Sequence, residues 1–353
     1  MQRKIGALRL GLTFAGCFLG AGYVSGQELW QYFGAFGTHG LLGLALAIAL
    51  LGGTGVLLLR LSARTGIEAM DALIVRADIP WLRTLVGVLT AALLFGVVCI
   101  MTAGIGALGS QMLGLPVWLG SALVCVLIAA AAYFGVGGMV TVFTVAVPCM
   151  IVAALIIAGI RIHHTGLTAA AFAGGSTNPM LGSWVTSAVN YAAYNFFATV
   201  GILAPMTQHL KSRSTAGWGT LLGCVLLAVA LGVLCALATS PVSIAAPLPM
   251  LDLACRLGAA GIVYAVLLFF GMFGTSVSSL VAVLTYTGQK SAWLSAHRTL
   301  VLLVLTAAAF AGSLFGFGDL IGTVYPVYGY LGMAAMLLVT EHAIHARRAA
   351  AGD

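Results

Sequence analysis

Apolar runs of about 20 residues recur along this chain from end to end, and that is the length a bilayer's hydrocarbon core demands of a spanning helix. Only 7% of the residues are charged and 61% are hydrophobic, against about 25% charged in a soluble domain. So little charge cannot cover a water-facing surface. The fold class is therefore an all-α polytopic membrane protein.

Ten transmembrane helices are expected, at about 5–34, 40–60, 83–113, 116–134, 138–161, 183–207, 215–239, 259–286, 298–316 and 320–343. The basic residues test that count. With the N-terminus in the cytoplasm, the external segments hold only Arg161 and Arg256 of the fifteen Lys and Arg residues. The other thirteen fall inside. Losing one span would reverse every later loop and destroy the bias, so both termini are expected in the cytoplasm of a bacterial inner membrane. The same distribution explains the net charge of +7 without a nucleic-acid partner, because no Lys/Arg run carries interleaved aromatics. A basic, apolar N-terminus resembles a leader peptide, but the spans continue throughout and a retained first helix is expected.

Ten spans divide into five plus five, and an odd number per half makes the second half run inverted. One transmembrane domain over 1–353 is expected, with repeats at about 5–161 and 183–343. The first and sixth spans are then equivalents, and both carry polar interruptions. "FLGAGYVSGQELWQYFG" (Phe18–Gly34) contains glycines, Ser25, Gln27 and Glu28 inside an apolar run. Glycine permits the backbone angles of an unwound segment. At membrane depth such a segment survives only if buried or lining a cavity, and it can present N–H groups to an anion and carbonyls to a cation. "SWVTSAVNYAAYNFFATVGILAPM" carries Asn190, Tyr191, Tyr194 and Asn195 at mid-depth. Broken helices are expected in both.

Of eight acids, only Glu28 lies well inside the expected spans. An acid at the helix centre costs about 2.5–3.5 kcal/mol on insertion scales, so it pairs, takes a proton or lines a pathway. Two readings of Glu28 stand: a proton or cation coupling residue, or an acid at the external end that reaches water. The histidines of "EHAIH" (Glu341–His345) read as a solvated tail. No Ser–His–acid set shares a depth, and the cysteines form no CxxC pair. Enzymatic chemistry, a disulfide and a zinc site are not expected.

"GAGYVSGQELWQYF", supported by "NYAAYNFF", resembles the YkvI family of bacterial membrane proteins, in the amino acid–polyamine–organocation superfamily. The resemblance implies the LeuT-like fold: a 5+5 inverted repeat with broken helices 1 and 6. It implies an ion-coupled secondary transporter of a small amino acid or amine, with no cofactor beyond a possible Na+ as coupling ion. Gly20, Ala21, Gly22 and Tyr23 would present backbone to the substrate carboxylate, with Tyr191, Tyr194 and Asn195 facing it. The Ser278–Ser279 pair looks like the hydroxyl pair of the family's sodium site, completed by carbonyls of Gly16, Leu19 and Thr275. Tyr23 and Glu28 depart from the LeuT pattern and leave Na+ and H+ both open. A ligand-sensing receptor on the same fold, as in spore germination, and a channel are the alternatives.

Overall fold

The computed structural model describes residues 5–18, 21–67, 70–76, 79–134, 139–207 and 210–351. Its first segment is not one helix. Ala7–Phe18 (α1), Ala21–Ser25 (α2) and Gln27–Tyr32 (α3) follow one another, and a 3-10 turn at Gly34–Phe36 ends the run. Between α2 and α3, Gly26 has φ 84°. That left-handed conformation costs an L-residue with a side chain about 1–2 kcal/mol and costs glycine little. A Cβ at Gly26 would also meet Leu237 Cδ1 at 2.8 Å and Met250 Cγ at 3.0 Å. Both the angle and the packing therefore require glycine there. Leu19 and Gly20 lie outside the described residues.

Longer helices follow: Thr38–Thr65 (α4), Pro80–Leu113 (α6), Val117–Phe134 (α7) and Met139–Thr165 (α8). A short helix, Met70–Ile74 (α5), lies in the connector after α4. The second half holds Trp184–Met206 (α9), Arg213–Leu227 (α10), Val229–Ala238 (α11), Ala260–Lys290 (α14), Arg298–Ser313 (α16) and Phe317–Ala351 (α17). Three short helices fill connectors: Pro241–Ile244 (α12), Pro249–Cys255 (α13) and Ala292–Ala296 (α15).

Among the described residues, seven helical stretches are long and apolar enough to cross a membrane: Thr38–Thr65, Pro80–Leu113, Val117–Phe134, Pro148–Thr165, Ser214–Ala238, Ala260–Lys290 and Phe317–Arg348. Arg298–Ser313 is apolar but shorter. The segment before Thr38 is cut into pieces, and α9 is diluted by its polar residues, so neither joins that set. This is a multi-pass, all-helical membrane protein.

The expected break in the sixth span needs correcting: α9 is helical throughout its 23 residues. Two of its polar side chains bond their own helix without unwinding it. Asn195 Nδ2 donates to the Tyr191 carbonyl at 3.0 Å, and Thr199 Oγ1 donates to the Asn195 carbonyl at 2.8 Å. No glycine stands between Trp184 and Val200 to offer a left-handed turn.

The core is built by close helix pairs. α1 lies along α10, α9 packs on both α4 and α17, and α14 packs on α6. Small residues set the first of these contacts: a Cβ at Gly11 would fall 2.9 Å from the Gly219 carbonyl. The segment between α11 and α14 folds inward. Leu248, Met250 and Leu251 are fully buried, and Met250 covers the turn at Gly26. Ser243 and Arg256 both donate to Asp252 Oδ2, at 2.6 and 2.8 Å. Partial burial pushes the Asp252 carboxyl up, but these two bonds and the guanidinium charge outweigh it and hold it below the usual carboxylate range. At the opposite end, His342 is buried rather than solvated, and its Nδ1 lies 3.0 Å from the Leu73 carbonyl, tying α17 to α5.

Candidate functional site

Glu28 occupies the first turn of α3, directly after the left-handed turn at Gly26. It is 4% exposed, so it does not reach water at the helix end. Tyr194 of α9 donates its hydroxyl to Glu28 Oε1. The other carboxylate oxygen lies against Gly22, where a Cβ would come within 2.6 Å of Oε2 and 3.8 Å of the Tyr325 hydroxyl. Among the described residues, the ion pairs are Arg256–Asp252 and His345–Glu341, so Glu28 has no basic partner there.

Aromatic rings enclose this carboxylate. Tyr194 stacks on Tyr325 of α17 with centroids 4.7 Å apart, and Tyr32, Tyr191 and Tyr194 contact one another at 5.3 to 5.9 Å. The Oε1 atoms of Gln27 and Gln31 are buried with no hydrogen-bond partner among the described residues. Such unpaired buried polar atoms are uncommon and mark a place where another group can be received.

The backbone around the break is held by side chains from three helices. Tyr264 of α14 donates to the Val24 carbonyl at 2.5 Å, and Ser25 Oγ donates to the Gly22 carbonyl at 2.7 Å. Ser187 Oγ of α9 donates to the Tyr32 carbonyl at 2.6 Å, capping the end of α3. Tyr23, whose backbone is the part expected to face a ligand, donates its hydroxyl to the Leu227 carbonyl at 2.6 Å, where α10 ends. The Gly22 and Val24 carbonyls at the break therefore already accept one hydrogen bond each.

The same network reaches α17, which contains Pro326. Proline has no N–H, so the Gly322 carbonyl four residues back loses its helical partner. Asn178 Nδ2 supplies one at 2.6 Å. Asn190 bridges the two sides, accepting from the Tyr32 hydroxyl at 3.1 Å and donating to the Pro326 carbonyl at 2.9 Å. Gln31 Nε2 donates to the Gly318 carbonyl at 2.9 Å.

Of the expected substrate residues, Gly22, Tyr191 and Tyr194 converge on Glu28. Ala21 begins α2, and Asn195 is spent on its own helix. The expected sodium ligands are less gathered. Gly16 lies in the last turn of α1, whose carbonyls lack helical partners. On α14, Thr275, expected to offer its carbonyl, and buried Ser279 share a face four residues apart, and Thr275 Oγ1 donates to the Gly271 carbonyl at 2.8 Å. Ser278 is exposed on another face, while the buried Ser276 hydroxyl has no partner among the described residues. Tyr32, Tyr325, Asn178 and Pro326 are site residues that the sequence reading did not select. Two signals were available: Tyr32 stands four residues after Glu28 on the same helical face, and Pro326 interrupts an apolar run.

No protein-family model matches the chain. It is homologous to YkvI, an uncharacterized membrane protein of Bacillus subtilis, at 25% identity over 336 residues, covering 94% of this chain and 95% of the relative. YyaD of the same organism is also 25% identical over 344 residues, covering 94% and 96%. Among solved structures, MhsT in complex with L-phenylalanine matches with TM-score 0.66 at 17% identity, covering 98% of this chain and 93% of that one. Inward-facing Mhp1 matches with TM-score 0.66 at 14% identity, covering 95% and 76%. A manganese transporter of Eremococcus coleocola matches with TM-score 0.54 at 13% identity, covering 92% and 76%. These likenesses establish a LeuT-like fold.

Proposed function

We propose that this homologue of YkvI, carrying a LeuT-like fold, is an ion-coupled secondary transporter that moves a small amino acid or amine by alternating access. One observation carries the reading: a buried carboxylate, Glu28, sits beside a left-handed helix break, bonded by Tyr194 from the facing helix and paired with no base among the described residues. An ionised acid kept there is costly, and the cost disappears when it takes up a proton or a ligand's ammonium group. Either event changes how Glu28 holds Tyr194. The junction of α3, α9 and α17 then has two arrangements, one for the loaded and one for the empty acid.

In this reading the chain crosses the membrane ten times with both ends in the cytoplasm. The segment before Thr38, α9 and α16 add to the seven long spans, in repeats at about 5–161 and 183–343. The substrate sits beside Gly20, Ala21, Gly22 and Tyr23, against Tyr191, Tyr194 and Asn195. Its ammonium or the coupling proton meets Glu28. Sodium coupling instead rests on the carbonyls of Gly16, Leu19 and Thr275 with the hydroxyls of Ser278 and Ser279.

Flux into proteoliposomes tests this. A thermal-shift screen of amino acids and amines supplies the substrate. Uphill uptake driven by an imposed proton or sodium gradient is the expected result, with Glu28→Gln abolishing the pH-dependent part. Saturable binding without flux makes the protein a sensor, and non-saturating downhill current makes it a channel. An unchanged pH profile in Glu28→Gln removes the coupling role. Indifference to sodium under every condition removes the Ser278/Ser279 site.

A further inference from the structure

A groove of about 450 Å³ opens on the flank of the bundle between α4, α10 and α17, away from the Glu28 junction. Its floor is made of glycine: Gly52 and Gly53 on α4 and Gly217 on α10. Arg60 of α4 and Arg347 of α17 stand at its mouth. An adjoining hollow of about 330 Å³ shares Arg60 and Gly217 and adds Trp218, a large indole that is 65% exposed. From Arg60 back to Gly52 is about 12 Å of helix. The groove thus runs from the charged end of three helices into a hydrocarbon core about 30 Å thick.

Neither arginine is spent inside the protein. Both are exposed, and the ion pairs among the described residues use other groups. Glu341, the acid on the same stretch of α17, is held by His345 at 2.9 Å. The charge asymmetry of the loops assigns this end to the cytoplasmic face. A cleft that is apolar below and cationic at its mouth, with an indole at interface depth, complements an amphiphile with a negative head. A guanidinium pairs with a phosphate through two parallel hydrogen bonds, which a strongly hydrated ammonium does not.

We propose that this groove is a binding site for an anionic phospholipid, with its phosphate between Arg60 and Arg347 and an acyl chain along the glycine floor. The site is independent of the transported substrate. The glycines are what make room, since a Cβ at Gly53 or Gly217 would meet nothing within 4 Å. Larger side chains there fill the groove without straining the bundle.

The test uses the full chain purified in detergent, with phosphatidylglycerol and phosphatidylcholine of identical acyl chains compared by native mass spectrometry and thermal unfolding. Two surface arginines predict a preference of about 30-fold for phosphatidylglycerol. The double variant Arg60→Gln/Arg347→Gln should bind both lipids equally and melt like the wild type in lipid-free detergent. Gly53→Leu/Gly217→Leu, with both arginines intact, should lose most phosphatidylglycerol binding. Equal binding of the two lipids by the wild type overturns the proposal, as does a preference that survives the arginine variant. Full binding by the glycine variant, or inorganic phosphate reproducing the stabilisation, overturns the acyl-chain seat.

Discussion

The first segment and α9 carry similar polar residues within apolar stretches, yet one is cut into pieces and the other is a continuous helix. Ser25, Gln27 and Glu28 accompany a left-handed turn at Gly26. Ser187, Asn190, Tyr191, Tyr194 and Asn195 sit in 23 unbroken helical residues. Polar content by itself therefore does not break an apolar helix. Asn195 and Thr199 turn back onto carbonyls of their own helix, and Ser187, Asn190 and Tyr194 reach across to the broken segment. The unbroken helix supplies two donors and one acceptor to the broken one. What breaks the first segment is a glycine whose angle no other residue adopts cheaply, held where Leu237 and Met250 leave no space for a side chain.

The sharpest way to break this contrast is Gly26→Ala. The left-handed strain and the clash together should cost about 2–4 kcal/mol, read from unfolding in detergent. Wild-type stability in that variant would mean that the turn does not depend on glycine. Asn190→Ala comes next. It orphans the Tyr32 hydroxyl and removes the added bond to the Pro326 carbonyl, and should cost about 1–3 kcal/mol. Asn195→Ala should be smallest, within about 0.5 kcal/mol, because it loses one bond to its own helix and gains helix propensity. If Asn195→Ala costs more than Asn190→Ala, the bridging role assigned to Asn190 is wrong. Loss of transport in Asn195→Ala at unchanged stability would instead place that side chain on the substrate.

The composition and the spacing of apolar runs determined that this chain is an all-helical membrane protein, because no other fold satisfies the backbone of so many apolar segments of that length. Glu28 was also legible from the sequence, since a lone acid within a span is costly wherever it is placed. The sequence could not say that Tyr32, Tyr194 and Tyr325, from three separated segments, would close around it. Aromatic residues are common in such spans, and only the packing of α3, α9 and α17 selects these three. Nor could it say that α9 stays whole. A polar side chain in a helix can unwind the backbone, bond its own carbonyls or reach a neighbour. The choice depends on whether a neighbour's freed carbonyl lies within about 3 Å, and the tertiary structure decides that.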